Sequence, residues 1–382
     1  MNSRMPSLVR RLLLGLAAPA LALLFSVGVS ALALQASGHD PWRAYSSMLS
    51  YGKQSDSLVA IADLATAYFL AGLAVAIGFR MALFNIGVEG QYRLAALLAA
   101  AVGAKLNLPA VVLLPLVVLT AAATGAGVAG IAGVLKTSRG VSEVISTIML
   151  NFIALAVLNV LLSGALRTPV PGELERATGT LHKAARMPSL DRPLHAIGLP
   201  VPAGSSVTGM LLVAAVLGVG VSLLLSRTRF GFALRATGLN PSAALASGID
   251  AKAMVVRTML LSGAIGGLAG LPFLLSAPPY RYSEAFVTDL GFTGIGIALL
   301  GRNRPGGIAV GAVVFAFLDR SAQILQIDNI PSEIAIIMQG LIVLSVVVAY
   351  EVVRRLGIRA AERTTAPAGG QVPAGPVGSV PA

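Results

Sequence analysis

The sequence predicts an all-α integral membrane protein of about ten membrane segments, some short or re-entrant, with both termini in the cytoplasm. Three observations lead there. The 382 residues are 56% hydrophobic and 12% charged, with a mean hydropathy of +0.83, whereas a soluble domain carries about 25% charged residues. Apolar runs of spanning length, about 20 residues at about 1.5 Å each, recur along the chain. The basic residues behind the net charge of +12 gather at the ends of those runs, as the positive-inside rule expects and a nucleic-acid surface does not.

The first run, residues 12–34, carries no charge and follows Arg4, Arg10 and Arg11. It exceeds the about 7–15 apolar residues of a secretory signal and no cleavage pattern follows, so a retained first helix is expected. Further segments are expected at 58–79, 86–104, 108–135, 143–164, 206–226, 257–276, 289–301, 305–318 and 333–350. Those at 289–301 and 305–318 are too short for ordinary crossings and read as half-helices or re-entrant segments, as is common beside transport paths.

With the N-terminus inside, Arg80, Lys136, Arg139, Arg302, Arg304, Arg354, Arg355, Arg359 and Arg363 fall on the cytoplasmic side. So does loop 227–257, with Arg227, Arg229, Arg235, Lys252 and Arg257 against the single acid Asp250. Outside, segment 35–57 balances Arg43 and Lys53 with Asp40 and Asp56, and segment 165–205 is mixed. Residues 1–363 read as a single transmembrane domain. The Pro/Gly/Ala-rich residues 364–382 read as a disordered cytoplasmic tail.

Phe84-Asn85-Ile86-Gly87-Val88-Glu89-Gly90-Gln91 interrupts this apolar background. Polar groups buried in a bilayer cost several kcal/mol each unless something satisfies them. Asn85, Glu89 and Gln91 are therefore candidates to line a path through the membrane. Farther on, Glu143, Thr147 and Asn151 recur at i, i+4 and i+8, along one helix face, and Thr147 and Asn151 join the path candidates. Two plainer readings stay open. Thr147 and Asn151 could only bridge neighbouring helices, with Glu143 at the interface near Lys136 and Arg139. Glu89 could be structural, held by backbone amides around Gly87 and Gly90.

Other chemistry is excluded. The chain has no cysteine, hence no disulfide or thiolate metal site. His39, His182 and His195 have no ligand spacing, and neither His-Glu-x-x-His nor Gly-x-Ser-x-Gly occurs. No catalytic residue, metal or cofactor is assigned to this chain. Gly125-Ala126-Gly127-Val128-Ala129-Gly130 fits a dinucleotide fingerprint, but it lies inside an apolar helix with no preceding strand. It reads as a close helix crossing, like Gly263-xxx-Gly267, Gly266-xxx-Gly270 and Gly307-xxx-Gly311. Gly133-Val134-Leu135-Lys136-Thr137-Ser138 ends in a Lys-Thr pair but lacks the Gly before lysine and the four-residue loop of a phosphate-binding loop.

Loop 227–257 exceeds an ordinary connection and holds two helical patches separated by Gly238-Leu239-Asn240-Pro241. Asn240 can cap the second patch, with Pro241 at its first position, and Gly248 can end it. A short alanine-faced helix with basic flanks suits docking into a groove of a cytoplasmic partner.

Ser242-Ala243-Ala244-Leu245-Ala246-Ser247-Gly248 resembles the Glu-Ala-Ala-x-x-x-Gly coupling motif of bacterial ABC-importer permeases, with serine in place of the glutamate. Together with Phe84–Gln91, Ser142–Asn151 and the run Gly291–Asn303, it makes residues 58–350 similar to the nucleoside branch of the ribose/simple-sugar ABC permease family. The resemblance implies a type II ABC-importer-like permease of the bacterial inner membrane that passes a nucleoside or simple sugar. It implies three partners: a periplasmic or lipoprotein solute-binding protein, a second permease subunit, and cytoplasmic ABC ATPase subunits that bind the ATP and Mg. The long segment 165–205 resembles the longer member of a heterodimeric pair. The expected coupling residues are Arg235, Gly238, Asn240, Ala243, Ala244 and Gly248, with the last three packing into the ATPase groove. Loops 165–205 and 277–289 are expected to meet the binding protein. The runner-up is an ion-coupled secondary transporter, which would need an inverted repeat with paired intramembrane acids.

Overall fold

A computed structural model of the chain describes residues 24–169, 174–198, 201–202, 204–328, 330, 333–345 and 348. The basic residues ahead of the first run, the C-terminal arginines and the tail at 364–382 lie outside them. Among the described residues the protein is helical, and its only extended pairings are two isolated bridges, Ala177–Ser283 and Ser189–Thr208.

Six helical stretches are long and apolar enough to cross a bilayer. They are α3 (Ser55–Phe79), α5 (Ala110–Arg139), α6 (Glu143–Ser163), α8 (Met210–Arg227), α11 (Ala251–Leu268) continued by α12 (Leu271–Ser276), and α14 (Pro305–Ala322) with its 3-10 extension Gln323–Asp328. Shorter apolar helices are α1 (Leu24–Ala36), α13 (Leu290–Leu300) and α15 (Ile334–Ser345). Helix α4 (Val88–Lys105) is more polar, carrying Glu89, Arg93 and Lys105.

Two expectations are corrected. Segment 35–57, read as an outer connection, contains helix α2 (Pro41–Gly52), started by Pro41 and capped where the Asp40 carboxylate accepts from the Trp42 amide at 2.9 Å. The segment read as a short piece at 305–318 continues as an apolar span to Ile327. Its two charged side chains, Asp319 and Arg320, find partners on neighbouring elements. Asp319 accepts from the Tyr68 hydroxyl and from Gln339 Nε2, the latter at 2.7 Å. Arg320 donates to Gln323 and lies 5.0 Å from the centre of the Tyr51 ring.

Helix α3 is the spindle. From Ala65 to Gly78 it is buried almost all round, packed by α11, α13 and α14, as expected of a helix apolar on every face. The most extensive crossing joins α5 to α11, and it uses the glycines that the sequence assigned to packing. A Cβ added at Gly125 would strike the Gly263 carbonyl, one at Gly263 the Gly125 carbonyl, and one at Gly267 the Ala121 carbonyl. With no side chain between them, the two backbones approach closely and gain dispersion contact. Gly263→Leu should therefore force α5 from α11 and cost at least the about 1–3 kcal/mol of core overpacking. Its melting in detergent should fall by several degrees, and a melt equal to that of the parent protein would refute this account of the seam.

Helix α13 begins inside the bundle. Its 11 residues span about 16 Å, against about 30 Å for a hydrocarbon core. Gly291 lies against the Glu89 backbone at the start of α4, and Gly294 against Ala71 within α3. Residues 282–289 reach that depth alongside α4, with Phe286 near Gly270 and the Val287 carbonyl accepting from Tyr92 Oη at 2.8 Å. The helix is short, as the segment at 289–301 was expected to be.

Candidate functional site

A helix that starts inside the bundle exposes backbone amides where no water can pair with them. The sequence answers with Glu89. Its Oε1 accepts from the Asp289 amide at 3.0 Å and from the Tyr92 hydroxyl at 2.8 Å, and its Oε2 accepts from the Gly291 amide at 3.0 Å. The carboxylate caps α13 and offsets the positive end of its dipole. Glu89 is thus held by amides, but those of Asp289 and Gly291 rather than those of the Gly87–Gly90 turn.

The start of α4 is capped in the same manner by α6. Asn151 Oδ1 accepts from the Gly90 amide at 2.9 Å, and Asn151 Nδ2 donates to the Ile86 carbonyl at 2.9 Å. Glu143, Thr147 and Asn151 share one face, as their spacing implied, and all three are buried. Glu143 pairs with Lys136 at 2.5 Å, the plainer of its two readings. The Thr147 hydroxyl donates to the Glu143 carbonyl at 2.7 Å, and its side chain packs on Gly87.

Asn85 and Gln91 close the knot. Gln91 Nε2 donates to Asn85 Oδ1 at 2.8 Å, and Asn85 Nδ2 donates to Gln91 Oε1 at 3.1 Å and to Ser262 Oγ at 2.9 Å. Ser262 passes its own proton to the Ala74 carbonyl of α3 at 2.7 Å. The five path candidates are therefore brought together, with relative exposure between 0 and 7%. In this conformation they face one another and offer almost no surface to a solute. Ser262 and Tyr92 belong to the same network and were missed, because a lone serine or tyrosine in an apolar run carries no signal of its own. The set of Tyr68, Asp319 and Gln339 was missed as well.

At the bundle end that carries Arg80, two short helices follow α8. These are α9 (Arg229–Leu239) and α10 (Pro241–Ala246). The anticipated cap is present: Asn240 Oδ1 accepts from the Ala243 amide at 3.0 Å, with Pro241 at the first position. Gly248 ends α10 at φ +79°, the left-handed region, with its amide donating to the Leu245 carbonyl at 2.9 Å. Arg235 donates to the Leu225 carbonyl at the end of α8, so it fastens α9 to the bundle.

Gly238 packs on the backbone of the Arg80–Met81 turn. Met81 Sδ accepts from Thr258 of α11 at 3.0 Å, and Arg80 Nε donates to the Asn303 carbonyl at 2.8 Å. Ala244 is corrected as a groove-packing residue: it is 2% exposed and turned into the bundle. The surface α10 presents consists of Pro241, Ser242, Ala243, Leu245 and Ala246, beside Leu239, Ser247 and Gly248.

At the opposite end the two long loops hold each other. The Thr178 amide donates to the Tyr282 carbonyl at 2.9 Å, the Leu181 amide donates to the Tyr280 carbonyl at 2.8 Å, and Arg176 pairs with Glu284. The Glu175 carboxylate is held below its ordinary range by hydrogen bonds from Ser283 and from the Ala285 amide.

Apolar helices, two buried helix starts capped by side chains, and a small-residue helix pair at one end define a multi-pass membrane transport subunit. The family described as "Branched-chain amino acid transport system / permease component" matches residues 57–347, and the chain belongs to it. It is therefore a transport permease and not a catalytic subunit. Similar proteins include a guanosine ABC transporter permease protein of Bacillus subtilis (strain 168), 34% identical over 87% of this chain and 93% of that one. A glucose ABC transporter permease protein of Haloferax volcanii is 33% identical over 85% of each chain. A nucleoside ABC transporter permease protein of Lactococcus lactis is 28% identical over 87% of this chain and 90% of that one.

Proposed function

We propose that this chain is the inner-membrane permease subunit of an ABC importer and that its solute is a nucleoside, with a simple sugar as the second reading. The observation that carries the nucleoside is the 34% identity to a guanosine permease across nearly the whole of both chains. The similar glucose permease supports the sugar reading. ATP and Mg are bound by separate ATPase subunits. The chain pairs with a second permease, preferably a different one, and receives solute from a periplasmic or lipid-anchored binding protein.

In this reading α1, α4, α13 and α15 join the six long stretches, giving about ten segments with both termini in the cytoplasm. The end bearing Arg80, Lys136, Arg235 and Arg302 then faces the ATPase. Helices α9 and α10 receive its motion through Ala243, Asn240 and Gly248, and Gly238 passes that motion to the Arg80–Met81 turn. The paired loops 165–205 and 277–289 face the binding protein. Asn85, Glu89, Gln91, Thr147 and Asn151 stand beside the path and meet solute only when α4 and α13 part.

The tagged chain, purified from its native membranes, should bring an ATPase with it. After reconstitution with the binding protein it should take up radiolabelled guanosine only when ATP is supplied. Proton- or sodium-driven uptake by the chain alone would replace this reading with the secondary transporter.

A further inference from the structure

The buried knot leaves the path itself unassigned, because Asn85 and its partners have almost no accessible surface. A groove of about 410 Å³ lies elsewhere, between α13, α14 and α15. Phe292, Thr293 and Gly296 line it from α13, Phe315 from α14, and Gln339 and Gly340 from α15. Its volume falls within the about 300–1,000 Å³ of small-molecule sites, and its lining matches theirs: apolar and aromatic, with a few polar groups.

The setting argues against a lipid tail. Gln339 forms part of the wall and donates to Asp319 at 2.7 Å, while Asp319 also holds the Tyr68 hydroxyl. A hydrocarbon-facing groove does not need an amide and a carboxylate behind it, and placing them there is costly. The Phe292 ring is 53% exposed, and the next residue is a threonine. A Cβ at Gly340 would meet nothing within 4 Å, so that wall is open. The groove also follows a half-helix, the kind of element that frames solute sites near the bilayer midplane. No charged side chain is among its lining residues, which suits a path that must release what it holds.

We propose that the solute travels along this groove, with the Phe292 ring stacking on a flat heteroaromatic base and the Thr293 hydroxyl meeting a ring nitrogen or ribose hydroxyl. This inference rests on the nucleoside reading and makes Phe292 a specificity residue.

The absence of cysteine from the chain permits a direct test in its native cells. Phe292→Cys, Thr293→Cys and Gly340→Cys would each carry the sole thiol of this subunit, and Phe152→Cys, on the exposed face of α6, serves as the lipid-side control. A water-soluble methanethiosulfonate reagent should modify the three groove thiols at least tenfold faster than the control. Saturating guanosine should slow the reaction about fivefold at Thr293→Cys and Gly340→Cys, which keep the Phe292 ring, and glucose should not.

Groove thiols no more reactive than the control would mean that lipid or a second subunit covers the groove, and would overturn the proposal. Reactive thiols in Thr293→Cys and Gly340→Cys that guanosine does not protect would overturn it equally. Guanosine uptake by the unsubstituted transporter, measured in the same cells, separates the two levels. Its absence defeats the nucleoside reading itself, whereas normal uptake with unprotected thiols defeats only the groove.

Discussion

Glu89→Ala is expected to unseat α13 and to remove most folded protein from the membrane. The substitution leaves the amides of Asp289 and Gly291 without their acceptor in a buried site. Each orphaned group costs about 1–3 kcal/mol, so the pair costs about 2–6 kcal/mol. The Tyr92 hydroxyl suffers less, since the Val287 carbonyl is also within 2.8 Å of it. Glu89→Gln should fall between, because its single oxygen can serve one amide while its NH2 group faces the other. Thermal melting of the detergent-solubilised protein, followed by size-exclusion chromatography, should order the three as parent, glutamine, alanine. An alanine variant that melts with the parent would remove the cap from the account. Unchanged melting with an altered solute preference would instead place Glu89 on the path.

The second large effect is expected at Gly238. A Cβ there would sit 2.8 Å from Met81 Cα and 2.9 Å from the Arg80 carbonyl oxygen, and both are backbone atoms that cannot swing aside. Gly238→Val should lift α9 from the Arg80–Met81 turn and lower uptake at least tenfold. The outward surface of α10, with Ala243 and Leu245, is untouched, so the ATPase should still co-purify. Near-normal uptake would show that motion reaches the bundle by another route.

Much of the fold was legible because hydrocarbon imposes a simple rule. The runs behind α3, α5, α6 and α8 carry almost no charge, and their lengths match a bilayer. The Asn240–Pro241 start and the Gly248 stop of α10 were legible for a local reason, since cap and capped group lie within a few residues. That Glu143, Thr147 and Asn151 share one face followed from spacing alone; that the face is buried is the structure's addition.

What failed to show was distant. The extension of α14 depends on Asp319 meeting Tyr68 and Gln339, neither of which announces a partner. The acceptor role of Glu89 depends on amides 200 and 202 positions later in the chain. An alanine-rich helix also gives no marker for its inward face, and this is why Ala244 was placed on the wrong side.

The pairing between the two long loops has a consequence for timing. Anything that grips residues 176–181 also pulls on residues 280–284, and through them on the stretch of chain that leads to Asp289 and its contact with Glu89. Anything that presses α9 from the other side acts on Met81. Both inputs arrive at opposite ends of one short stretch, Met81 to Glu89. On the proposed importer reading, opening and closing would be two settings of a single lever, and arrival of solute and arrival of ATP would not be answered independently.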